Sequence, residues 1–159
     1  MKNYSIEIKW AIRFTLLTLA WAIGEKSIGL HDVYIKDYAF YSLLFVFPAF
    51  LFFYLALVEK KKYSFNNQMI WKQGFVTGIV ISFIIALLNP IAQYVIYKAI
   101  TPHFFENIIE YKTKNTTMTL KTAQDIFNLK SYIIQTSFSG LSYGVITGAI
   151  VSLFIRNKK

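Results

Sequence analysis

Residues 73–97, QGFVTGIVISFIIALLNPIAQYVIY, run for 25 positions between Lys72 and Lys98 without a charge. As a helix rising about 1.5 Å per residue, such a run exceeds the roughly 30 Å of a bilayer's hydrocarbon core. Lipid offers backbone N–H and C=O groups no partners, so a spanning run must satisfy them internally and is predicted to be a helix. A second run of 25 uncharged residues lies between Lys130 and Arg156, and one of 21 lies between Asp37 and Glu59. The first segment is less regular, because only 11 residues separate Arg13 from Glu25. Extending it over Trp10–Leu30 gives the needed length, with Arg13 snorkelling to one surface and Glu25 and Lys26 at the other. The expectation is four spans, at about 10–30, 38–58, 73–97 and 131–155.

Composition agrees with a membrane setting. Of 159 residues 55% are hydrophobic and 16% charged, against about 25% charged in soluble domains. The mean hydropathy is +0.44. So few charges cannot cover the large surface of a small soluble domain. The basic start, short apolar stretch and Ala20-Trp21-Ala22 imitate a cleaved signal peptide. A Trp inside the supposed cleavage site and Glu25-Lys26 directly after it favour a retained span. There is no cysteine, which excludes disulfides, thiolate metal sites and thiol catalysis.

The net charge of +9 is read against the membrane rather than nucleic acid. With four spans, one side carries Lys2, Lys9, Arg13, Lys60, Lys61, Lys62, Lys72, Arg156, Lys158 and Lys159. The other carries Lys26, Lys36, Lys98, Lys112, Lys114, Lys121 and Lys130, a bias of ten to seven. The positive-inside rule then puts both termini in the cytoplasm, and the basic helix ends are expected to attract anionic headgroups.

The loop from Thr101 to Lys130 is too long for a plain connection. Thr101-Pro102 reads as one helix start and Thr119 as another. Phe104, Phe105, Ile108 and Ile109 share a face of the first of these helices. The pair is expected as interfacial helices on the outer leaflet or over the bundle mouth. Pro48 is predicted to kink span two and Pro90 span three, freeing the carbonyls of Leu44 and Ala86. The aromatic load of span two reads as lipid-facing bulk and interface anchoring.

Two stripes of small residues recur at four-residue spacing. Span three carries Gly74, Gly78, Ser82 and Ala86. Span four carries Thr136, Gly140, Gly144, Gly148 and Ser152. Small residues so spaced let helix backbones approach closely. The favoured reading is an intramolecular contact between these antiparallel helices, with Gly78 meeting the Gly148 end and Ala86 the Gly140 end. The alternative makes one stripe a homodimer face. Asn89, Gln93 and Gln135 fall at similar depth, and together with Glu25 they form a candidate polar pocket beneath the outer surface.

No G-x-S-x-G, H-E-x-x-H or Walker motif occurs. His31-Asp32 and Glu25 lack a third convergent metal ligand, and His31 reads as capping the end of span one. The expectation is a non-enzymatic membrane protein without metal or cofactor that acts by packing against itself or a membrane partner. The alternative is a small transporter or channel using the Glu25, Asn89, Gln93 and Gln135 pocket.

Four short stretches carry a family resemblance: Ile6-Glu7-Ile8-Lys9-Trp10, Glu25-Lys26-x-x-Gly29-Leu30-His31-Asp32, Lys72-Gln73-Gly74-Phe75 and Tyr132-Ile133-Ile134-Gln135. On these the chain resembles, over nearly its whole length, an uncharacterised family of four-helix membrane proteins common in Bacteroidota. The resemblance implies an all-α integral membrane bundle with a short helical cap, located in the bacterial inner membrane. It implies no activity.

Overall fold

The computed structural model describes residues 4–157. Lys2, Lys158 and Lys159, which enter the charge count above, lie outside the described residues. The described residues form an all-α fold of six helices. They are α1 (Ser5–Ser27), α2 (Tyr38–Ser64), α3 (Trp71–Ile100), α4 (Phe104–Asn115), α5 (Leu120–Ile126) and α6 (Leu129–Ile155). Three of them, α2, α3 and α6, are long and apolar enough to cross a membrane by length and composition. The expectation was four. α1 has the length, at 23 residues, but Glu7, Lys9, Arg13, Glu25 and Lys26 keep it out of that class.

Helix α3 packs most closely on α6, and next on α1; α2 fits between α1 and α6. The first and last described residues lie at one end of the bundle. There Lys60 Nζ reaches Glu7 at 2.9 Å, Lys9 pairs with Glu59, and Trp10 Nε1 donates to Glu59 Oε2 at 2.9 Å. Lys61 Nζ donates to the Ile155 carbonyl at 2.6 Å, satisfying an orphan acceptor at the end of α6. Asn157 and Met69 bond in both directions, each at 2.9 Å. An apolar cluster including Trp10, Phe53, Leu57, Met69, Ile81 and Val151 fills this half. A second cluster, around Ile35, Ile96, Tyr97, Phe104 and Ile108, fills the opposite end under α4.

The helix limits differ from expectation for local reasons. Helix α1 stops at Ser27 rather than Leu30, because Gly29 takes φ +82° and the Gly29 and Leu30 N–H groups turn back onto Lys26 and Glu25 carbonyls. That left-handed step is the usual glycine stop. Helix α2 runs on to Ser64 rather than Val58, because Glu59, Lys60 and Lys61 find partners on α1 and α6. Asn66 and Asn67, at φ 47° and 61°, make the turn into α3; Asn tolerates this region well. Helix α3 starts at Trp71, two residues before 73.

A 3₁₀ turn at Leu43–Phe45 precedes Pro48, at the Leu44 carbonyl expected to be displaced. Helix α3 runs through Pro90. Its irregular backbone lies at Ile96–Ile100, a π turn closed by Thr101 N donating to Ile96 O at 2.7 Å. Thr101 thus ends α3 rather than capping α4, which starts at Phe104. Thr119 does cap α5, accepting from Thr122 N at 3.2 Å. On α4, Phe104 and Ile108 are buried against the bundle while Glu106 and Glu110 face away. Lys114 hydrogen-bonds Glu110 at 2.5 Å and holds its carboxyl below the usual range.

Candidate functional site

The last turn of α1 aims Glu25 inward, and Glu25 is only 8% exposed. Its Oε1 accepts from Trp21 Nε1 at 2.9 Å, one turn back on the same helix, and from Ser42 Oγ on α2 at 2.5 Å. Its Oε2 lies 3.3 Å from His31 Nε2. A carboxylate removed from water must be compensated, and three donors from three chain segments do so here. His31 is held by its neighbours. Its carbonyl accepts from Asn107 Nδ2 at 2.9 Å, and its ring meets Tyr38 and Phe104 edge to face at 5.4 and 5.3 Å. Its Nδ1 is buried without a hydrogen-bond partner.

Across the bundle, α3 and α6 build a second polar group. Asn89 Nδ2 donates to Thr136 Oγ1 at 2.8 Å and to Ser137 Oγ at 2.9 Å. Gln93 Nε2 donates to Asn89 Oδ1 at 3.0 Å. The Thr136 hydroxyl gives its own proton to the Tyr132 carbonyl at 2.6 Å, so toward Asn89 it can only accept.

The two polar groups line one cavity of about 470 Å³. Tyr38, Tyr97 and Tyr132 form its roof, with Phe104 of α4 packed above them. Phe14, Phe45, Phe53 and Ile85 line the deeper part. The exposed members of the lining, Leu43 and Val46 on α2 and Ser139, Gly140 and Tyr143 on α6, make a mouth between those two helices. A largely apolar cavity with a few convergent polar groups is the usual form of a small-molecule site.

Of the four residues expected in a polar pocket, the structure gathers Glu25, Asn89 and Gln93 around this cavity. Gln135 is exposed and outside it. The neighbouring Thr136 takes that place, about 100° further round the helix. The signal was present in the sequence: Thr136 belongs to the four-residue stripe that faces α3, and Gln135 does not. Trp21, Ser42, Tyr38 and Tyr97 carried no pattern that pointed to a pocket, and Tyr132 stood out only within a stretch that carried the family resemblance.

The small-residue stripes meet below the cavity. A Cβ built on Gly78 would stand 2.8 Å from Gly148 Cα, and one on Gly148 would stand 2.9 Å from Gly78 Cα. These backbones touch directly. Gly74 faces Ser152, and Gly144 faces Ser82 and Phe53. Ala86 and Gly140 do not close the series. Gly140 has nothing within 4 Å of a built Cβ, and both line the cavity instead.

No three His, Asp or Glu residues converge among the described residues. Asp32, beside His31, accepts from Val33 N in its own turn.

A model of the family described as a protein of unknown function (DUF4199) matches residues 9–157. The chain belongs to the DUF4199 family. The match takes in most of α1, including Glu25, together with the cavity, α4 and all three long apolar helices, so the site described above lies wholly within the DUF4199 region. No curated protein and no solved structure matches the chain significantly. The family description states no activity.

Proposed function

We propose that this DUF4199 chain is a four-span protein of the bacterial inner membrane, with both termini cytoplasmic. In this reading it works without catalysis, by holding a small molecule in the cavity beneath its outer cap. Support for a fourth span comes from α1 itself. Glu7 pairs with Lys60 at one end and Glu25 with Ser42 at the other. On each helix these contacts are 18 positions apart, a rise of about 27 Å, so α1 runs alongside α2 over that length. Glu7, Lys9 and Glu25, three of the charges that set α1 apart, face protein partners, while Ile8, Ile12, Leu16 and Ile23 on it stay exposed, as a lipid-facing surface would. The Lys/Arg bias supports the orientation. Lys62, Lys72 and Arg156 at the termini end suit anionic headgroups.

The observation that carries the functional reading is the cavity, with buried Glu25 at its polar end. Gly78 and Gly148 are engaged within the chain, which removes the main surface that favoured a homodimer or a packing partner. Native mass spectrometry of protein extracted in mild detergent tests the proposal. The expected result is a monomer carrying a small-molecule adduct, with the adduct lost in Ala86→Trp, which fills the cavity. A bare dimer, or a stoichiometric protein partner with no small adduct, would replace it with the partner-binding reading.

A further inference from the structure

The polar end of the cavity has acceptor capacity to spare. The chain of donors from Gln93 to Asn89 to Thr136 to the Tyr132 carbonyl runs in a single direction. It fixes both amides, because Thr136 can only accept from Asn89 and Asn89 Oδ1 can only accept from Gln93. Gln93 Oε1 is therefore left over as an acceptor with no donor, on a side chain 94% removed from solvent. The same cavity is lined by the Glu25 carboxylate, whose two oxygens have room for about four hydrogen bonds and receive three. Among the described residues no Lys or Arg lines the cavity. A headgroup bound there meets a carboxylate and a free acceptor, and no Lys or Arg. An anionic head would be repelled. A head that donates hydrogen bonds and carries positive charge would gain a charge-assisted bond from Glu25.

The rest of the cavity is largely apolar, and its exposed lining residues lie sideways between α2 and α6 rather than at the capped end. In the four-span orientation that mouth lies at the depth of the outer leaflet. We infer that the cavity takes an amine-headed amphiphile from the outer leaflet, with its ammonium between Glu25 and Gln93 Oε1 and its apolar chain leaving through the mouth beside Gly140 and Leu43. This rests on the small-molecule reading of the cavity and names the class of ligand.

Three probes with one chain length separate the possibilities: dodecylamine, dodecanol and dodecanoate, titrated against the purified protein in nanodiscs of a zwitterionic lipid. The readout is tryptophan fluorescence, since Trp21 lines the cavity and hydrogen-bonds Glu25; Trp21→Phe should abolish the response. Dodecylamine is expected to act at a concentration at least about tenfold below dodecanoate. Glu25→Gln should remove that preference while leaving the dodecanol response in place. Gln93→Leu, which retains the charge, should weaken the amine by a smaller factor and serves if Glu25→Gln does not fold. Equal responses to amine and carboxylate, or an amine preference that survives both substitutions, would overturn the ligand class while sparing the cavity. No Trp21-dependent response to any of the three would overturn the cavity reading itself.

Discussion

Gly78 and Gly140 sit on facing helices, yet they should respond oppositely to substitution. At Gly78 any side chain must pass through Gly148 backbone, which cannot rotate away as a side chain can. Gly78→Leu is expected to cost at least the roughly 1–3 kcal/mol typical of overpacking. Gly140 meets nothing. Gly140→Ala should stabilise α6 by roughly 0.5–1 kcal/mol through helix propensity alone. Thermal melts of the two variants in detergent check this. A neutral Gly78→Leu would mean that the α3–α6 contact is wrong. The polar side chains divide in the same way. Asn89→Leu removes donors to Thr136 and Ser137 and the acceptor of Gln93, at about 0.6 kcal/mol per membrane-buried bond and at most about 1.7. Gln135→Leu should be nearly silent. A Gln135→Leu loss as large as that of Asn89→Leu would contradict the placement of these two residues.

The long apolar helices were legible because lipid imposes one simple demand, an unbroken run without charges, and residues 73–97 and 131–155 meet it directly. Their ends were less so. Gly29 stops α1 by a backbone conformation, and Lys60 prolongs α2 through a partner 53 positions away in sequence. Neither effect shows in a hydropathy run. The pocket was half legible for the same reason. Depth along a helix follows from sequence separation, which brought Asn89 and Gln93 together. Azimuth does not follow from depth, and on azimuth Gln135 fails. The ties between α1 and α2 give a sharper prediction at this scale. Glu7 and Lys60 are both more than nine-tenths buried. Lys60→Met strands the Glu7 carboxylate, and breaking such a pair costs about 3–5 kcal/mol. Glu7→Gln added to Lys60→Met should restore most of that loss. Denaturation of the single and double variants measures it, and an additive double variant would show that the two groups act independently.

For the whole molecule, the account depends on α1 crossing the membrane beside α2, because this puts Glu25 and the cavity at the outer side and both chain ends inside. Large side chains exposed around the bundle, such as Phe47, Phe83, Leu87, Phe138 and Phe154, are untenable in water over so wide an area and ordinary in lipid. The absence of cysteine lets single introduced thiols report sidedness without background. The most direct measurement is labelling of Tyr4→Cys, Asn66→Cys and Asn115→Cys in intact cells with a membrane-impermeant maleimide. The account predicts that Asn115→Cys labels at once, whereas Tyr4→Cys and Asn66→Cys label only after lysis. Labelling of Tyr4→Cys in intact cells, with Asn66→Cys still protected, would show that α1 does not cross and would contradict the four-span architecture.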